Sequence, residues 1–401
     1  MEGIRILEVA DHTFVPAASA ILADWGADVI KIEHVERGDA MRGLVKTGVI
    51  PLAGPVHVIL EHSNRGKRSI GLDLTTEEGL EILYEIARTS DVFLTNKTPS
   101  IRVKLGIELE QLREANPNIV YVRGSAWGAR GPEADQGGYD QTSFWCRSGN
   151  AIGAQPYGAD YITTMPSPAY GDSIGAMTIA GGISTALLHR ERTGIADVVD
   201  VSLLGTGLWS MGAAIALSQM LDMPWRQFPP GGGAYNPLVS VYRCSDEKFL
   251  CLNMLQAEQY WAETCEVFEL SELIDDPRFE SQATIMANAA EARVIFAEQV
   301  ASRTLEEWRE RLVGFSGQWS PVLDSVEVVS DDQVIANGYI LETRTAEGVP
   351  FKLVTTPVQF NDEPSPPLRA PEFNEHGDQI LEELGLDWDR IIDLKVKGVV
   401  A

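Results

Sequence analysis

Between residues 168 and 183 the chain reads PAYGDSIGAMTIAGGI, with Asp172 as its single acid. An Asp between Gly171 and Ser173, directly ahead of a long small and apolar run, fits a helix start, where its carboxylate would accept an unpaired backbone N–H. The same carboxylate could instead be the reactive group, and the window alone leaves the choice open. Other residues could supply the rest of a site. Asn64-Arg65-Gly66-Lys67-Arg68 sets three cations within five residues, and Arg102 with Lys104 follows Asn96 and Lys97. Both stretches suit a polyanionic ligand, with a solvated basic loop as the plain alternative, most apt for Arg65. Gly231, Gly232 and Gly233 can take backbone conformations closed to other residues and approach a ligand closely, or serve as a hinge after Pro229 and Pro230. Tyr139, inside Gly138-Tyr139-Asp140, is either core packing or part of a site.

The elements that must hold these residues alternate. IRILEV at 4 to 9 reads as a buried strand, residues 16 to 24 as a helix and DVIKI at 28 to 32 as the next strand, a βαβ unit. The pattern repeats through TTEEGLEILYEIARTS, whose Thr-x-x-Glu opens a helix, then DVFLTN, IELEQLREANP and IVYVRGSAWG. Such alternation predicts an α/β fold with an open, mostly parallel, Rossmann-like sheet. Ligands bind such sheets at the carboxyl ends of the strands, which points to residues 10–15, 33–42, 96–104 and the segment from Gly124. The first strand leads into VADHTFVPAAS with no G-x-G-x-x-G, so a dinucleotide is not expected. A long helix is expected from about Ile174 to Arg190. Near residue 225 the character changes: VSVYRCSDEKFLCLNM reads as a hairpin and the following helices suggest a smaller α+β domain over 225–325.

The chain has 401 residues, enough for two domains, and a formal charge of −26 that disfavours nucleic acid and anionic membranes as partners. Cys146, Cys244, Cys251 and Cys265 lack the spacing of a metal site or a disulfide scaffold, so we expect no metal, and reduced thiols in a cytoplasmic protein. Neither a signal peptide nor an apolar run long enough for a membrane span is legible.

Seven stretches in order now identify a family resemblance: LADWGADVIKIE with its RGD, SNRGKRSIGLDL, Asn96-Lys97-Thr98-Pro99 leading to Leu105-Gly106, YGDSIGA, LHRERTGIADVVDVSLL, PPGGGAYNP and DDQVIANG. Together they resemble, nearly end to end, the class III coenzyme A transferases, a family that includes formyl-CoA and carnitine CoA-transferases and alpha-methylacyl-CoA racemase. The resemblance implies a large domain from both chain ends (1–205 and 335–401), the small domain (225–325), linkers at 206–224 and 326–334, and an interlocked homodimer. It places Asp172 at the catalytic aspartate and Gly231, Gly232 and Gly233 in a loop over it. It implies contacts to coenzyme A from His12, Thr13, Phe14, His34, Arg65, Lys67, Asn96, Lys97, Arg102, Lys104 and Leu105. Two positions depart from relatives: His34 stands where an arginine is common, and Thr13 where formyl-CoA transferase has glutamine.

On that resemblance the expected reaction moves coenzyme A from an acyl thioester to a carboxylic acid. Asp172 attacks the thioester, releases the thiolate and carries the acyl group as a mixed anhydride. An Asp with the ordinary pKa of about 3.9 is ionised at neutral pH and needs no activating base. Racemases of the family abstract the α-proton with a histidine in a G-H-D pattern. Here Tyr139 replaces that histidine, and a tyrosine pKa near 10 makes a poor base. His189 lies seventeen residues from Asp172 on one helix, about 25 Å away. His12, on a strand-end loop, keeps 2-methylacyl-CoA racemisation as the alternative, and a catalytically silent CoA-binding protein is a third reading. Trp127, Phe144, Trp145, Tyr235 and Trp319 are candidates for an acyl pocket or for core.

Overall fold

The computed structural model describes residues 1–44, 54–228 and 236–401. The chain divides into two units. One comprises Met1–Ala154, Ile162–Trp225 and Gln333–Ala401; the other comprises Gln155–Tyr161 and Arg226–Asp332.

The first unit is built on alternating strands and helices. In chain order these are β1 (Arg5–Val9), α1 (Phe14–Asp24), β2 (Asp28–His34), α2 (Ala40–Gly43), α3 (Val58–Asn64), β3 (Arg68–Leu72), α4 (Glu77–Arg88), β4 (Val92–Thr95), α5 (Pro99–Lys104), α6 (Leu109–Ala115) and β5 (Val120–Ser125). After a π-helix over Gln141–Cys146 come α7 (Asn150–Gly153), α8 (Tyr170–Thr193), β6 (Val198–Ser202), α9 (Leu203–Ser210) and α10 (Gly212–Leu221). The six strands form one sheet in the order β3-β2-β1-β4-β5-β6, every pairing parallel. A sheet buried on both faces calls for runs of apolar residues, which β4 (Val92, Phe93, Leu94) and the first half of β5 (Val120, Tyr121, Val122) supply, while β1 buries Glu8 beside Ile6, Leu7 and Val9. Side chains on one face (Ile6, Val92, Leu94, Val120, Val122) pack against α1 and α8. Those on the other (Leu7, Phe93, Tyr121) meet Leu83 and Ile86 of α4 and the C-terminal helices. The order reverses between β1 and β4, the place where a parallel sheet opens a crevice for a ligand.

The C-terminal stretch finishes this unit. Past α15 (Asp332–Ala336) and the hairpin β10 (Ile340–Arg344) and β11 (Pro350–Val354), α16 (Gly377–Glu383) and α17 (Trp388–Val396) bury Ile380, Leu381, Ile391 and Leu394 against the sheet. Asn374 ties the end down by accepting from the Gly71 N–H (3.0 Å) and donating to the Ala401 carbonyl (2.6 Å). Residues 206–224, expected as a linker, are largely helical and cluster with this unit.

The second unit holds a three-stranded antiparallel sheet of β7 (Val239–Arg243), β8 (Phe249–Asn253) and β9 (Trp319–Val322), with α11 (Ala257–Val267), α12 (Gln282–Ala287), α13 (Ala289–Val300) and α14 (Leu305–Arg311). Its core stacks Phe268 on Trp308 at 4.7 Å. Among the described residues no helix is long and apolar enough to cross a membrane, and no group of three or more His, Cys, Asp or Glu is placed to hold a metal ion.

Candidate active site

A cleft of about 540 Å³ opens at the carboxyl ends of β1, β4 and β5, at the reversal of strand order. Its walls include His12 and Phe14 after β1, Asn96, Lys97 and Arg102 after β4, Trp127 and Tyr139 after β5, and Asp172 on α8. A second cleft of about 290 Å³ lies beside it, with His34, Arg37, Asp73, Lys97 and Leu105 on its walls. Asp11 and Lys97 border both. The two clefts therefore meet at these two residues, which form an ion pair.

Asp172 sits in the first turn of α8, which begins at Tyr170 rather than at the expected residue 174. Its own carboxylate caps nothing: no hydrogen bond to it is formed among the described residues. Burial, with the charge of Asp140 nearby, pushes the Asp172 carboxyl up to about 8. The expectation of an ordinary, already ionised aspartate is thereby overturned. At neutral pH burial therefore favours the protonated carboxyl in the ligand-free protein. Two glycines let α8 come this close to its neighbours. A Cβ on Gly171 would stand 2.5 Å from the Phe144 ring, and one on Gly175 would stand 2.4 Å from Phe14.

Around Asp172 the loops are held by short polar links. Asn96 donates to the Asp11 carbonyl (2.7 Å) and accepts from its N–H (3.2 Å), stapling the ends of β1 and β4 together. His12 takes a left-handed backbone, φ 67°, and its N–H donates to Asp39 at 2.9 Å. Such a conformation in a non-glycine residue costs of order 1 kcal/mol and persists where the surroundings enforce it. The His12 ring meets Tyr139 edge-on at 5.6 Å, and Tyr139 itself is 63% exposed. His62 on α3 lies behind Asp172, its Nε2 3.3 Å from the Ser173 hydroxyl, and burial drops it to about 4, so it is neutral.

The cations of the cleft are paired. Lys97 meets Asp11, Arg102 donates to Glu108 (3.0 Å) and to the Lys97 carbonyl (2.9 Å), and Arg123 grips Asp200 with two bonds of 2.6 and 2.7 Å. Lys104 is exposed on the last turn of α5 and lines neither cleft. Thr13 is buried, at the start of α1.

Arg65 and Lys67, expected at a nucleotide, face inward. Arg65 forms a buried pair with Asp24 at 2.8 Å. The Lys67 ammonium is fully buried and donates to Glu8 (2.9 Å), the Pro16 carbonyl (2.8 Å) and Asn64 (3.0 Å). Lys31 completes this network, 2.7 Å from Glu8 and 2.8 Å from Asp39, while Ser19 donates to Glu8. Burial pushes Lys67 down to about 7 against the pull of Glu8. Three bonds leave its ammonium no donor for a ligand. The expected nucleotide contact for both residues is corrected on this geometry, since neither can reach an anion without breaking a buried ion pair. Through Asp39, the same network braces the His12 backbone.

Of the aromatic candidates, Trp127 lines the first cleft, while Phe144 and Trp145 are core and Trp319 belongs to the second unit. Gly231, Gly232, Gly233 and Tyr235 lie outside the described residues. Sequence reasoning did not single out Asp140, His62, Arg123 or the buried Lys31–Glu8 network. Asp140 was legible as part of Gly-Tyr-Asp, but attention went to the missing histidine.

The sequence profile of CoA-transferase family III matches residues 1–377. The chain is 27% identical to "(R)-2-hydroxy-4-methylpentanoate CoA-transferase" of Clostridioides difficile over 402 aligned positions, covering 100% of this chain and 99% of that one. It is 28% identical to the "Formyl-CoA:oxalate CoA-transferase" of Streptomyces coelicolor, covering 100% and 99%. Among solved structures, a CAIB/BAIF family protein from Brucella suis superposes with a TM-score of 0.80 at 25% identity, covering 96% of this chain and 98% of the other. The chain belongs to CoA-transferase family III.

Proposed function

We propose that this member of CoA-transferase family III moves coenzyme A from an acyl thioester to a carboxylic acid, with Asp172 as the temporary acyl carrier. The observation that carries this reading is the Asp172 carboxyl itself: on the wall of the larger cleft, without a hydrogen-bond partner among the described residues, and desolvated. A desolvated carboxylate, once ionised, is a stronger nucleophile than a hydrated one, because no hydration shell must be stripped as it attacks. One Asp172 oxygen bonds to the thioester carbonyl carbon, the C–S bond breaks, and coenzyme A departs as thiolate, leaving a mixed anhydride. For the donor acid to leave with both its oxygens, the thiolate must then attack the aspartyl carbon. The acceptor carboxylate displaces it there in turn, and the thiolate closes on the new acyl carbon. The overall exchange of one thioester for another is close to thermoneutral and consumes no cofactor.

The paired clefts suit a long substrate. We assign the nucleotide end of coenzyme A to the smaller cleft, beside His34, Lys97 and Leu105, and the pantetheine to the passage past Asp11, Asn96, His12 and Phe14 towards Asp172. Tyr139 would close one side. A homodimer is part of the proposal, supported by the exposed Trp209 (87%) and Met220 (81%) on α9 and α10. Four unpaired cysteines support a reducing, cytoplasmic setting. His12, within contact of Tyr139 in the same cleft, favours one second reading, α-proton exchange on a 2-methylacyl-CoA. Incubating acyl-CoA with a panel of carboxylic acids in deuterated water separates the two. New thioesters without α-deuterium support transfer; α-deuterium with epimerisation and no new thioester refutes it.

A further inference from the structure

Three lysines and arginines stand on the wall of the larger cleft among the described residues, and an acid holds each: Lys97 with Asp11, Arg102 with Glu108 and Arg123 with Asp200. The last pair is set by the sheet. Arg123 on β5 and Asp200 on β6 are direct partners in the parallel register, so their side chains leave the same face. The guanidinium donates to the carboxylate twice, Nε to Oδ1 at 2.6 Å and Nη2 to Oδ2 at 2.7 Å. It also lies over the Tyr121 ring, 6.0 Å from its centre. The strand order puts Asp11 and Lys97, after β1 and β4, at one end of the cleft and Arg123 with Asp200 at the other. Ala126, Trp127 and Leu203, from the ends of the same two strands, add apolar surface to that far end.

We propose that Asp200 is a specificity-determining residue: by neutralising Arg123 it restricts the acyl group and the acceptor to monocarboxylic acids whose body is uncharged. This names the substrate class of the proposed transferase and rests on that reading, which brings the nucleotide in past Lys97 and so points the acyl body towards the β5–β6 end. An acid with a second carboxylate would carry it, stripped of water, to a wall where every described lysine and arginine is already paired. A two-bond guanidinium–carboxylate pair is among the strongest polar contacts open to Arg123. Giving it up for a substrate carboxylate exchanges one such pair for another and leaves Asp200 without a partner. The second carboxylate would also meet the charge of Asp200 itself. These costs fall on a diacid alone, whereas a branched, linear or aromatic body without charge meets the apolar part of the wall.

The test uses two coenzyme A ligands that cannot react, with a methylene in place of the thioester sulfur. One carries a pentanoyl group; the other carries glutaryl, the same chain ending in a second carboxylate. Calorimetry at neutral pH gives Kd of each for the natural protein and for Asp200→Asn, which keeps the shape at a part-exposed position and leaves the guanidinium without its counter-charge. We expect the natural protein to bind the pentanoyl ligand at least about tenfold tighter than the glutaryl ligand, and Asp200→Asn to bring the two within about threefold or to reverse them. Adding Arg123→Gln to Asp200→Asn should restore the natural preference, an outcome that a loosened fold would not produce. Equal binding of the two ligands by the natural protein overturns the proposal, as does a preference that Asp200→Asn leaves unchanged or that the double variant fails to restore. Failure of the natural protein to bind the pentanoyl ligand overturns it as well. Because neither ligand can transfer, the expected ratios in an enzyme that moves no coenzyme A between acids would sink the acyl-carrier reading and leave the role of Asp200 standing.

Discussion

Replacing Asp172 with Asn should stabilise the protein, and the gain should depend on pH in a defined way. In the unfolded chain the Asp172 carboxyl ionises near its ordinary value of 3.8; in the fold it ionises near 8. Its folded pKa is raised, so its contribution to stability is fully present below about pH 4 and is lost as pH rises through about 8. Between those limits the natural protein loses up to about 1.4 kcal/mol per pH unit from this group, roughly 6 kcal/mol as an upper bound. Relaxation of the cleft and entry of water reduce this, and we expect about 2 to 3 kcal/mol in practice. Asn has nearly the same shape and no charge, so the variant escapes the loss. The assay is urea denaturation at fixed protein concentration, because self-association would shift the midpoint, with both proteins compared at pH 5, 6, 7, 8 and 9. The difference in stability should widen steadily from pH 5 to pH 8 and level off beyond it. A difference that stays constant across this range, or narrows with rising pH, would refute the argument that burial strains the ionised carboxylate.

Three further outcomes follow from the same geometry. If the ionised Asp172 is the attacking form, kcat/KM for the acyl-CoA donor should rise about tenfold per pH unit on the acid side and level off near pH 8; a flat profile from pH 5 to 9 would contradict it. Lys67→Met should destabilise the fold by about 3 kcal/mol by leaving the buried Glu8 half-compensated, while Lys97→Met should cost under about 1 kcal/mol of stability and weaken coenzyme A binding severalfold by calorimetry; the reverse pattern would refute the inward and outward assignments of the two lysines. Phe14→Ala should cost about 3 to 4 kcal/mol by urea denaturation, because the ring fills the space that Gly124 and Gly175 leave open; a loss below about 1 kcal/mol would show that the site collapses around the gap.

The sheet was legible because strands and helices have different hydrophobic periods, and β1, α4, β4 and β5 keep them cleanly. The hairpin of β7 and β8 was legible from its SDEK turn. What the sequence concealed is the partner that each polar residue finds. Lys67 and Arg65 look like surface cations in SNRGKR, because Glu8 and Asp24, which neutralise them, stand 59 and 41 residues away. The start of α8 was misplaced for a related reason. Asp172 looked like a local cap, whereas its carboxylate accepts no hydrogen bond among the described residues and α8 starts after Ala169 without a side-chain cap. Asp172 was singled out through its setting in YGDSIGA, but its raised pKa was not legible there, since burial is a property of the whole fold.

The acyl-carrier claim is tested most directly at the residue itself. The protein is mixed with acyl-CoA donor in the presence of hydroxylamine and without an acceptor acid, then digested and examined by peptide mass spectrometry. We predict a hydroxamate on Asp172, absent when the donor is omitted and absent in Asp172→Asn. An unmodified Asp172 peptide from protein that still transfers coenzyme A, or undiminished transfer by Asp172→Asn, would contradict the account.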